Sequence, residues 1–269
     1  MSVTYPLGFR AGGIQAGLRT TPGLDLALIV NDGPADVVAG VFTTNRVCAA
    51  PVQWSRHATA DHKARAVIVN AAVANACNGI DGFADCDITF SRVDSDACMS
   101  TNDTVVAMAS GASGISLTGD ELTDALTELC AILARQLVAD AEGSHHDVKV
   151  TVTGAISTEA AVAVAREVTR SNLVKTAIAG NDPNWGRILA AIGCVPENVA
   201  PFDPDQVDVS INDIQICKAG GIGEDRNLVD MRPREVHIDI ELHAGDAEAA
   251  VWTNDLTHQY VEENSAYTS

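Results

Sequence analysis

The sequence predicts a layered α/β fold, an α+β sandwich, from the order of its strand-like and helical segments. Short apolar or β-branched runs bounded by turn residues appear early and again late in the chain, and helical patterns lie between them. A simple alternation of strands and helices would distribute both kinds of segment evenly. The 269 residues are enough to bury a core as one large domain or two modest ones.

Seven runs are predicted to be strands, and one of them alternates strictly. In 236–242, Val236 and Ile238 fall on one side, while His237 and Asp239 fall on the other. This strand is therefore expected to have one face against the core and one in water. The seven runs are 25–32, 38–44, 64–72, 148–154, 207–213, 236–242 and 249–255.

Three segments have the apolar period of amphipathic helices, namely 119–141, 158–170 and 183–192. Thr118 and Glu121 have the spacing of a capping box at the start of the first helix. For the third helix, Asp182 is the expected N-cap, with Pro183 at the first helical position and Gly193 just past the end.

Charge and composition exclude several classes of partner. The net charge of −19 argues against nucleic acid and anionic membranes, because both are polyanions. No apolar run is long enough to cross a bilayer, and residues 1–20 lack the pattern of a secretory signal. The seven cysteines are odd in number and include no CxxC pair, which favours reduced thiols in a cytoplasmic protein.

Several local motifs have ordinary structural interpretations. The glycines of 10–17 are predicted to form a turn, because neither a preceding strand nor a following helix is evident for a phosphate loop. The histidines at 145–146 lack further ligands at metal-binding spacing. The polar cluster 100–104 can line a site or form the N-cap of a helix beginning near Thr104, and the residues alone favour the cap. For 182–187, a packed Trp beside a surface Arg and an anion-binding helix start are equally open.

Motifs along nearly the whole chain resemble, in the same order, those of the ornithine acetyltransferase family of arginine biosynthesis, also called glutamate N-acetyltransferase. The DPNWGR and ENSAY motifs are specific. The matching segments are 8-GFRAGG-13, 39-AGVFTTNRVCAAPVQWS-55, 66-AVIVNAAVANACNG-79, 100-STNDTV-105, 139-ADAEG-143, 173-LVKTAIAGNDPNWGR-187 and 256-LTHQYVEENSAYTS-269.

The resemblance implies an N-terminal-nucleophile-like fold and an acyl-transfer reaction. A family precursor cuts itself before an internal threonine, which takes the acetyl group of N-acetylornithine and passes it to glutamate through a covalent acetyl-threonine. The scheme needs no metal, coenzyme A or nucleotide, although acetylation of glutamate from acetyl-CoA stays open as a second activity. The implied partners are these amino acids and a homo-oligomer, or a two-chain heterotetramer in the complete family form.

The resemblance also assigns three substrate-binding residues, Glu142, Asn264 and Ser269. A carboxylate suits the amine of an ornithine-like substrate. An amide can bind both ends of an amino acid, and Ser269 brings a hydroxyl together with the terminal carboxylate. The resemblance therefore predicts that these three distant residues converge on one pocket. The alternative without a function is that Glu142 is solvated and that the last residues are a frayed tail.

The central part of the family sequence is missing, with a junction expected near Cys86–Thr89. That part would carry the oxyanion motif, a substrate lysine and the nucleophilic threonine, so no catalytic residue is assigned. The pair Ala58–Thr59 lacks the family context. Residues 1–86 and 87–269 are expected to be the N-terminal and C-terminal parts of the fold. A real deletion, a defective gene and an omitted segment all remain open.

Three functions follow from this pattern. The first is the family acetyltransferase activity. The second is an inactive remnant that retains amino-acid-binding or oligomer-forming surfaces. The third, a different acyl-transfer or amidohydrolase activity on the same fold, is disfavoured by the ENSAY tail.

Overall fold

The chain forms two compact units of helices and strands, which confirms the α/β class. Unit 1 is drawn from Met1–Asp87 and Met99–Thr127, and unit 2 from Ile88–Cys98 and Glu128–Thr268. The predicted division of the family fold at residue 86 stays a prediction. The computed structural model describes residues 2–17, 22–70, 92–97, 99–117 and 119–266.

Unit 1 contains a three-stranded antiparallel sheet and a two-stranded ribbon. The sheet has the order β1–β2–β4, and the ribbon pairs β3 with β5. Pro51 lies in the first turn of α1, where the missing N–H costs no helical hydrogen bond. The elements are β1 (Phe9–Ile14), β2 (Leu26–Asn31), β3 (Val37–Phe42), α1 (Ala50–Ala58), β4 (Ala66–Asn70) and β5 (Thr104–Ala109).

One face of the three-stranded sheet is apolar and exposed. The strand register places Ile14, Leu28 and Ile68 on this face, and their exposed fractions are 59%, 43% and 71%. The side chains line a shallow concavity on the sheet. A continuous apolar run such as Leu26–Val30 is typical of a strand covered on both sides.

Unit 2 is built on a six-stranded mixed sheet with the order β11–β6–β10–β7–β8–β9. Strands β6 and β10 are parallel, and the other neighbours are antiparallel. The elements are α2 (Gly119–Ala139, in this unit from Glu128), β6 (Asp147–Ala155), α3 (Thr158–Arg170), α4 (Asn172–Ala179), α5 (Trp185–Ile192), β7 (Asp208–Ile211), β8 (Ile214–Lys218), β9 (Gly221–Ile222), β10 (Glu235–Glu241), β11 (Ala247–Asn254) and α6 (His258–Ser265).

The core of unit 2 lies between this sheet and helices α3, α4 and α5. Along β6, Val148, Val150 and Val152 are fully buried, while the intervening residues are partly exposed. Strand β10 alternates in the same way, as its sequence predicts, with Ile238 buried and His237 exposed. The core face is therefore apolar throughout, and the opposite face carries the polar side chains.

All seven predicted strands and all three predicted helices are present, with shifts at their ends. The predicted turn at 10–17 is wrong, because Phe9–Ile14 is a strand paired with β2. The strand could not be recognised from the sequence, because its glycines have no side chains to contribute to an alternating apolar pattern. The helix expected from Thr104 is also wrong, because Thr104–Ala109 is a strand that is rich in β-branched residues.

The N-cap of α5 also differs from its prediction. Asn184, not Asp182, caps this helix by accepting a hydrogen bond from the Arg187 N–H, so Pro183 lies outside the helix. Gly193 follows the helix end as expected. The capping box at the start of α2 depends on Thr118, which lies outside the described residues. Within the described part of the chain, no helix is long and apolar enough to cross a membrane.

Candidate active site

The predicted site residue Glu142 lies in a short loop, 140–146, between α2 and β6. Glu142 itself is exposed, and Gly143 next to it is buried in the left-handed conformation with φ +61°. A Cβ atom on Gly143 would lie only 2.2 Å from the backbone nitrogen of Tyr260. The loop is thus in backbone contact with the first turn of α6, and only glycine fits there.

Thr257 joins helix α6 to the loop, and His145 Nε2 of the loop also lies 3.3 Å from Gln259 Oε1 of the helix. Thr257 is the N-cap of α6, and its hydroxyl oxygen accepts a hydrogen bond from the Tyr260 N–H at 3.1 Å. The same hydroxyl donates to the carbonyl of Gly143 at 2.6 Å. One side chain therefore starts the helix and fixes the loop that carries Glu142.

The end of β11 anchors the remainder of the loop. The Oδ1 atom of Asp255 accepts hydrogen bonds from the N–H groups of His145 and His146, and its Oδ2 atom lies 2.7 Å from His146 Nδ1. Asn254 donates through Nδ2 to the carbonyl of Val138 and to Ser144 Oγ. The loop is consequently held at its start, at its middle and at its end.

A third segment, 92–97, packs against the same strand end. Thr253 donates to the carbonyl of Asp94 at 2.6 Å, and Ser95 donates to Asn254 Oδ1 at 2.7 Å. The buried Asp94 carboxylate also accepts a hydrogen bond from Arg170 at 2.7 Å. Residues 253–255 thus connect the segment after the expected junction to the loop that carries Glu142.

A buried lysine supplies positive charge to this cluster. The Lys175 ammonium donates to the carbonyl of Ser95 and lies 3.4 Å from Thr253 Oγ1. Burial lowers the pKa of Lys175 because it removes the ammonium from water, and the nearby carboxylates, Asp94 first, partly oppose this shift. The Lys175 ammonium thus offsets part of the negative charge of the buried Asp94 and Asp255 carboxylates.

The structure brings two of the three predicted site residues onto segments that contact each other. Asn264 lies on α6, one helical turn beyond Tyr260, and its side chain is exposed. Its Nδ2 atom donates to the Tyr260 carbonyl at 3.0 Å. Glu142 is exposed on the loop packed against the first turn of the same helix. Ser269 lies outside the described residues.

The DPNWGR motif has a structural role in the described contacts. Asn184 caps α5 and donates to Asp182 Oδ2 at 2.9 Å. Arg187 donates to the carbonyl of Leu173 at 2.7 Å, which ties α5 to α4, and Trp185 packs against the core. These contacts favour the interpretation in which Trp is packed and Arg lies on the surface.

Other polar residues singled out from the sequence have partners in the fold. His146 is paired with Asp255, and no group of three His, Cys, Asp or Glu side chains suited to a metal occurs among the described residues. The Thr59 hydroxyl donates to the carbonyl of Ser55 at the end of α1. The loop at 100–104 is bound to residues 43–49, for example by the Thr43 hydroxyl donating to the Ser100 carbonyl.

Sequence reasoning missed the anchors of the site. Asn254 and Asp255 are the polar end of a run predicted to be a strand, and Lys175 lies inside a motif that was matched only to the family. A polar pair at the end of an otherwise apolar strand was the one available signal.

Comparison with known proteins places the chain among arginine biosynthesis enzymes. The model of the ArgJ family matches it in two parts, residues 10–89 and residues 84–269. The two parts meet at 84–89, which is where the junction was expected. The family resemblance drawn from the motifs is therefore confirmed.

Relatives described as arginine biosynthesis bifunctional protein ArgJ align over their full length. The protein of Bifidobacterium longum is 40% identical over 391 positions, and that of Streptomyces coelicolor is 38% identical over 386, each alignment covering 100% of both chains. Since this chain has 269 residues, at least 122 of the 391 positions have no counterpart in it. A central segment of these relatives is therefore missing here.

One solved structure supports this placement. The ArgJ crystal structure from Bacillus halodurans has a TM-score of 0.62 and 35% identity, and the match covers 68% of this chain and 89% of that chain. A structure of ornithine acetyltransferase from Mycobacterium tuberculosis, described as complexed with ornithine, is 51% identical over 33% of this chain and 46% of that chain, with a TM-score of 0.27.

Proposed function

Because the chain belongs to the ArgJ family of arginine biosynthesis bifunctional enzymes, we propose that the complete form of its fold transfers an acetyl group from N-acetylornithine to glutamate. We also propose that the 269 residues supply the amino-acid-binding part of that reaction. The observation that carries this proposal is the packing of the Glu142 loop on α6, the helix of Asn264.

The proposed chemistry is acyl transfer in two steps. A threonine hydroxyl of the central segment attacks the acetyl carbonyl, the C–N bond breaks, and the ornithine nitrogen leaves with a proton. The amine of glutamate then attacks the acetyl ester, which restores the hydroxyl and yields N-acetylglutamate. An oxyanion hole stabilises each tetrahedral intermediate.

Residues of this chain bind substrate in the scheme. The exposed Glu142 carboxylate pairs with the free amine of the ornithine skeleton. The amide oxygen of the exposed Asn264 side chain accepts from an ammonium group, and Ser269 adds its hydroxyl. The global charge of −19 cannot attract the anionic ends of these substrates, so local groups must supply that recognition.

Acetyl transfer is expected to require the segment that the chain lacks. We expect no measurable transfer by the 269-residue chain, because losing the nucleophile of a concerted site costs several orders of magnitude in rate. Inserting the corresponding segment of a relative at 84–89 should restore transfer from N-acetylornithine. Normal turnover without the insert would show that the segment is dispensable, and an inactive insert variant would contradict the acetyltransferase proposal. Assays of the 269-residue chain and of the insert variant with acetyl-CoA and glutamate decide whether acetyl-CoA is a second acetyl donor.

The tail is tested in the variant that carries the insert. Losing one hydrogen bond to a charged group costs about 1.5–3 kcal/mol of binding, so Asn264→Ala should reduce substrate use by tenfold or more. Its melting temperature should stay nearly unchanged, because the side chain is exposed. Glu262→Gln, another exposed position on α6, is the control and should leave activity unaltered. Equal activity of Asn264→Ala and wild type would remove Asn264 from the site.

A second function is favoured by the 122 absent positions: a remnant that binds amino acids without catalysis. In this case the chain binds ornithine but neither cuts itself nor transfers acetyl. Ornithine binding by the chain, measured together with the transfer assay, distinguishes the two functions. Absence of both binding and transfer would contradict the remnant with a retained amino-acid site.

The cellular setting is part of the proposal. Cytoplasmic location is supported by the free cysteines of the described residues, of which Cys48, Cys130 and Cys217 are buried and Cys194 is exposed. A homo-oligomer, or a two-chain heterotetramer in the complete form, is expected by family resemblance. Size-exclusion chromatography with light scattering measures this directly.

A further inference from the structure

We propose that Asp255 is a positioning residue that holds the Glu142 loop in its binding geometry against α6. This inference rests on the proposed amino-acid-binding role of Glu142. Asp255 touches no substrate in this proposal, and it acts only through the backbone of residues 143–146.

The burial of Asp255 is the first reason. Its side chain is 0% exposed, and taking an isolated carboxylate out of water is costly. Three hydrogen bonds offset that cost, two from the N–H groups of His145 and His146 and one with the ring of His146. All three bonds go to His145 and His146, three and four residues after Glu142, so the buried carboxylate stabilises the position of the loop.

The shape of the loop is the second reason. The loop joins the end of α2 to the start of β6, and without anchors such a loop would sample many conformations. Asp255 fixes residues 145–146, while Thr257 fixes Gly143 from the other side. Glu142 is adjacent to Gly143, and its carboxylate has no hydrogen bond or ion pair with any residue that the structure describes. The anchors therefore determine where an unpartnered carboxylate stands relative to α6.

The cluster is built to keep Asp255 in place. Lys175 contributes an opposing charge near Asp255, and Asn254 holds the loop through Ser144. Thr253, Asn254 and Asp255 are consecutive, so the loop is anchored to the end of β11, an edge strand whose Ala249 and Val251 are buried in the unit 2 core. A strand end is a more precise support for a binding carboxylate than the loop alone.

The test uses the 269-residue chain and measures L-ornithine binding by isothermal titration calorimetry. Glu142→Gln and Asp255→Ala should each weaken binding by tenfold or more. If Asp255 acts through Glu142, the double variant should bind no more than threefold worse than Glu142→Gln alone, because the second change has no positioned carboxylate left to disturb. Fully additive losses would overturn the proposal.

Two further variants separate positioning from general stability. Asp255→Asn keeps an oxygen for the two backbone N–H groups, so it should bind ornithine within about threefold of wild type, since most of the anchoring bonds persist. Val164→Ala destabilises the core of unit 2 without touching the loop and should also leave affinity unchanged. An equal loss of affinity in Val164→Ala, or no rescue by Asp255→Asn, would overturn the positioning role.

The proposal can also be tested if Asp255→Ala does not fold. Should Asp255→Ala not fold, Thr257→Val replaces it in the same cycle, because it releases the loop at the Gly143 carbonyl. Absence of ornithine binding by the wild-type chain would overturn the inference itself. Retained binding without acetyl transfer in the variant with the insert would instead contradict only the proposed acetyltransferase function.

Discussion

Replacing Gly143 by alanine tests how tightly the Glu142 loop contacts α6. Gly143 has φ +61°, and a Cβ atom there would lie 2.2 Å from the Tyr260 nitrogen and 2.6 Å from the Gln259 carbonyl carbon. Both are backbone atoms, so no side-chain rotation can relieve the overlap. The first turn of α6 must therefore move away from the loop.

The expected loss of stability has three parts. The left-handed conformation costs an alanine roughly 1 kcal/mol. Moving α6 breaks the bond from Thr257 Oγ1 to the Gly143 carbonyl, worth about 0.5–1.5 kcal/mol, and loosens the N-cap, worth about 1 kcal/mol. We therefore expect Gly143→Ala to lower the free energy of unfolding of unit 2 by about 3 kcal/mol.

A second glycine provides the control. Gly114 has φ +68° and nothing within 4 Å of its virtual Cβ, so Gly114→Ala carries the conformational cost without the overlap. Urea unfolding followed by circular dichroism gives both free energies, and hydrogen exchange of peptides from 258–265 reports on α6. The reasoning is refuted if Gly143→Ala is no more destabilising than Gly114→Ala, or if exchange in α6 is unchanged.

Three other outcomes are expected. The purified chain should remain one species of 28.1 kDa by intact mass, because no cleavage threonine is present, and two spontaneous fragments would contradict this. Burial lowers the pKa of Lys175 below its ordinary 10.5, so the folded state binds fewer protons than the unfolded state, and the free energy of unfolding should rise with pH in the alkaline range below 10.5. In urea titrations at several pH values, Lys175→Met should flatten that rise. An unchanged slope would refute the reasoning. Ile68→Lys should reduce binding of an apolar dye to the exposed sheet face, whereas Ser113→Lys should not.

The core of unit 2 was predictable because its signals are local. Its predicted strands and helices each show their own apolar period, as in 236–242 and 158–170. The short elements α4, β8, β9 and α6 were not predicted, because none of them is long enough to show a clear period. Unit 1 was less predictable, since two of the six residues of β1 are glycine and β5 begins in a polar cluster that suits a helix cap equally well. β1 and β5 are strands because each pairs with a strand distant in sequence, β2 and β3 respectively, and their local sequences do not show these partners.

The site could be predicted only in outline. Family motifs pointed to Glu142 and Asn264, but the residues that hold Glu142 in place are more than 100 positions away from it. The spacing of Asn254 and Asp255 gives no hint of which loop they bind, because that choice is made by the folding of β11 beside β6. The N-cap of α5 shows the same limit at short range, because Asp182 and Asn184 both suit the cap position and the structure uses Asn184.

The buried cluster of unit 2 runs from Val148 to Val251, and this stretch of chain lies wholly after the junction at 84–89. A chain without the central positions of its relatives therefore still contains every residue of this buried cluster in one contiguous stretch. Regions with dense apolar burial open least readily, so we expect limited proteolysis of the 269-residue chain to leave a fragment that contains 148–251.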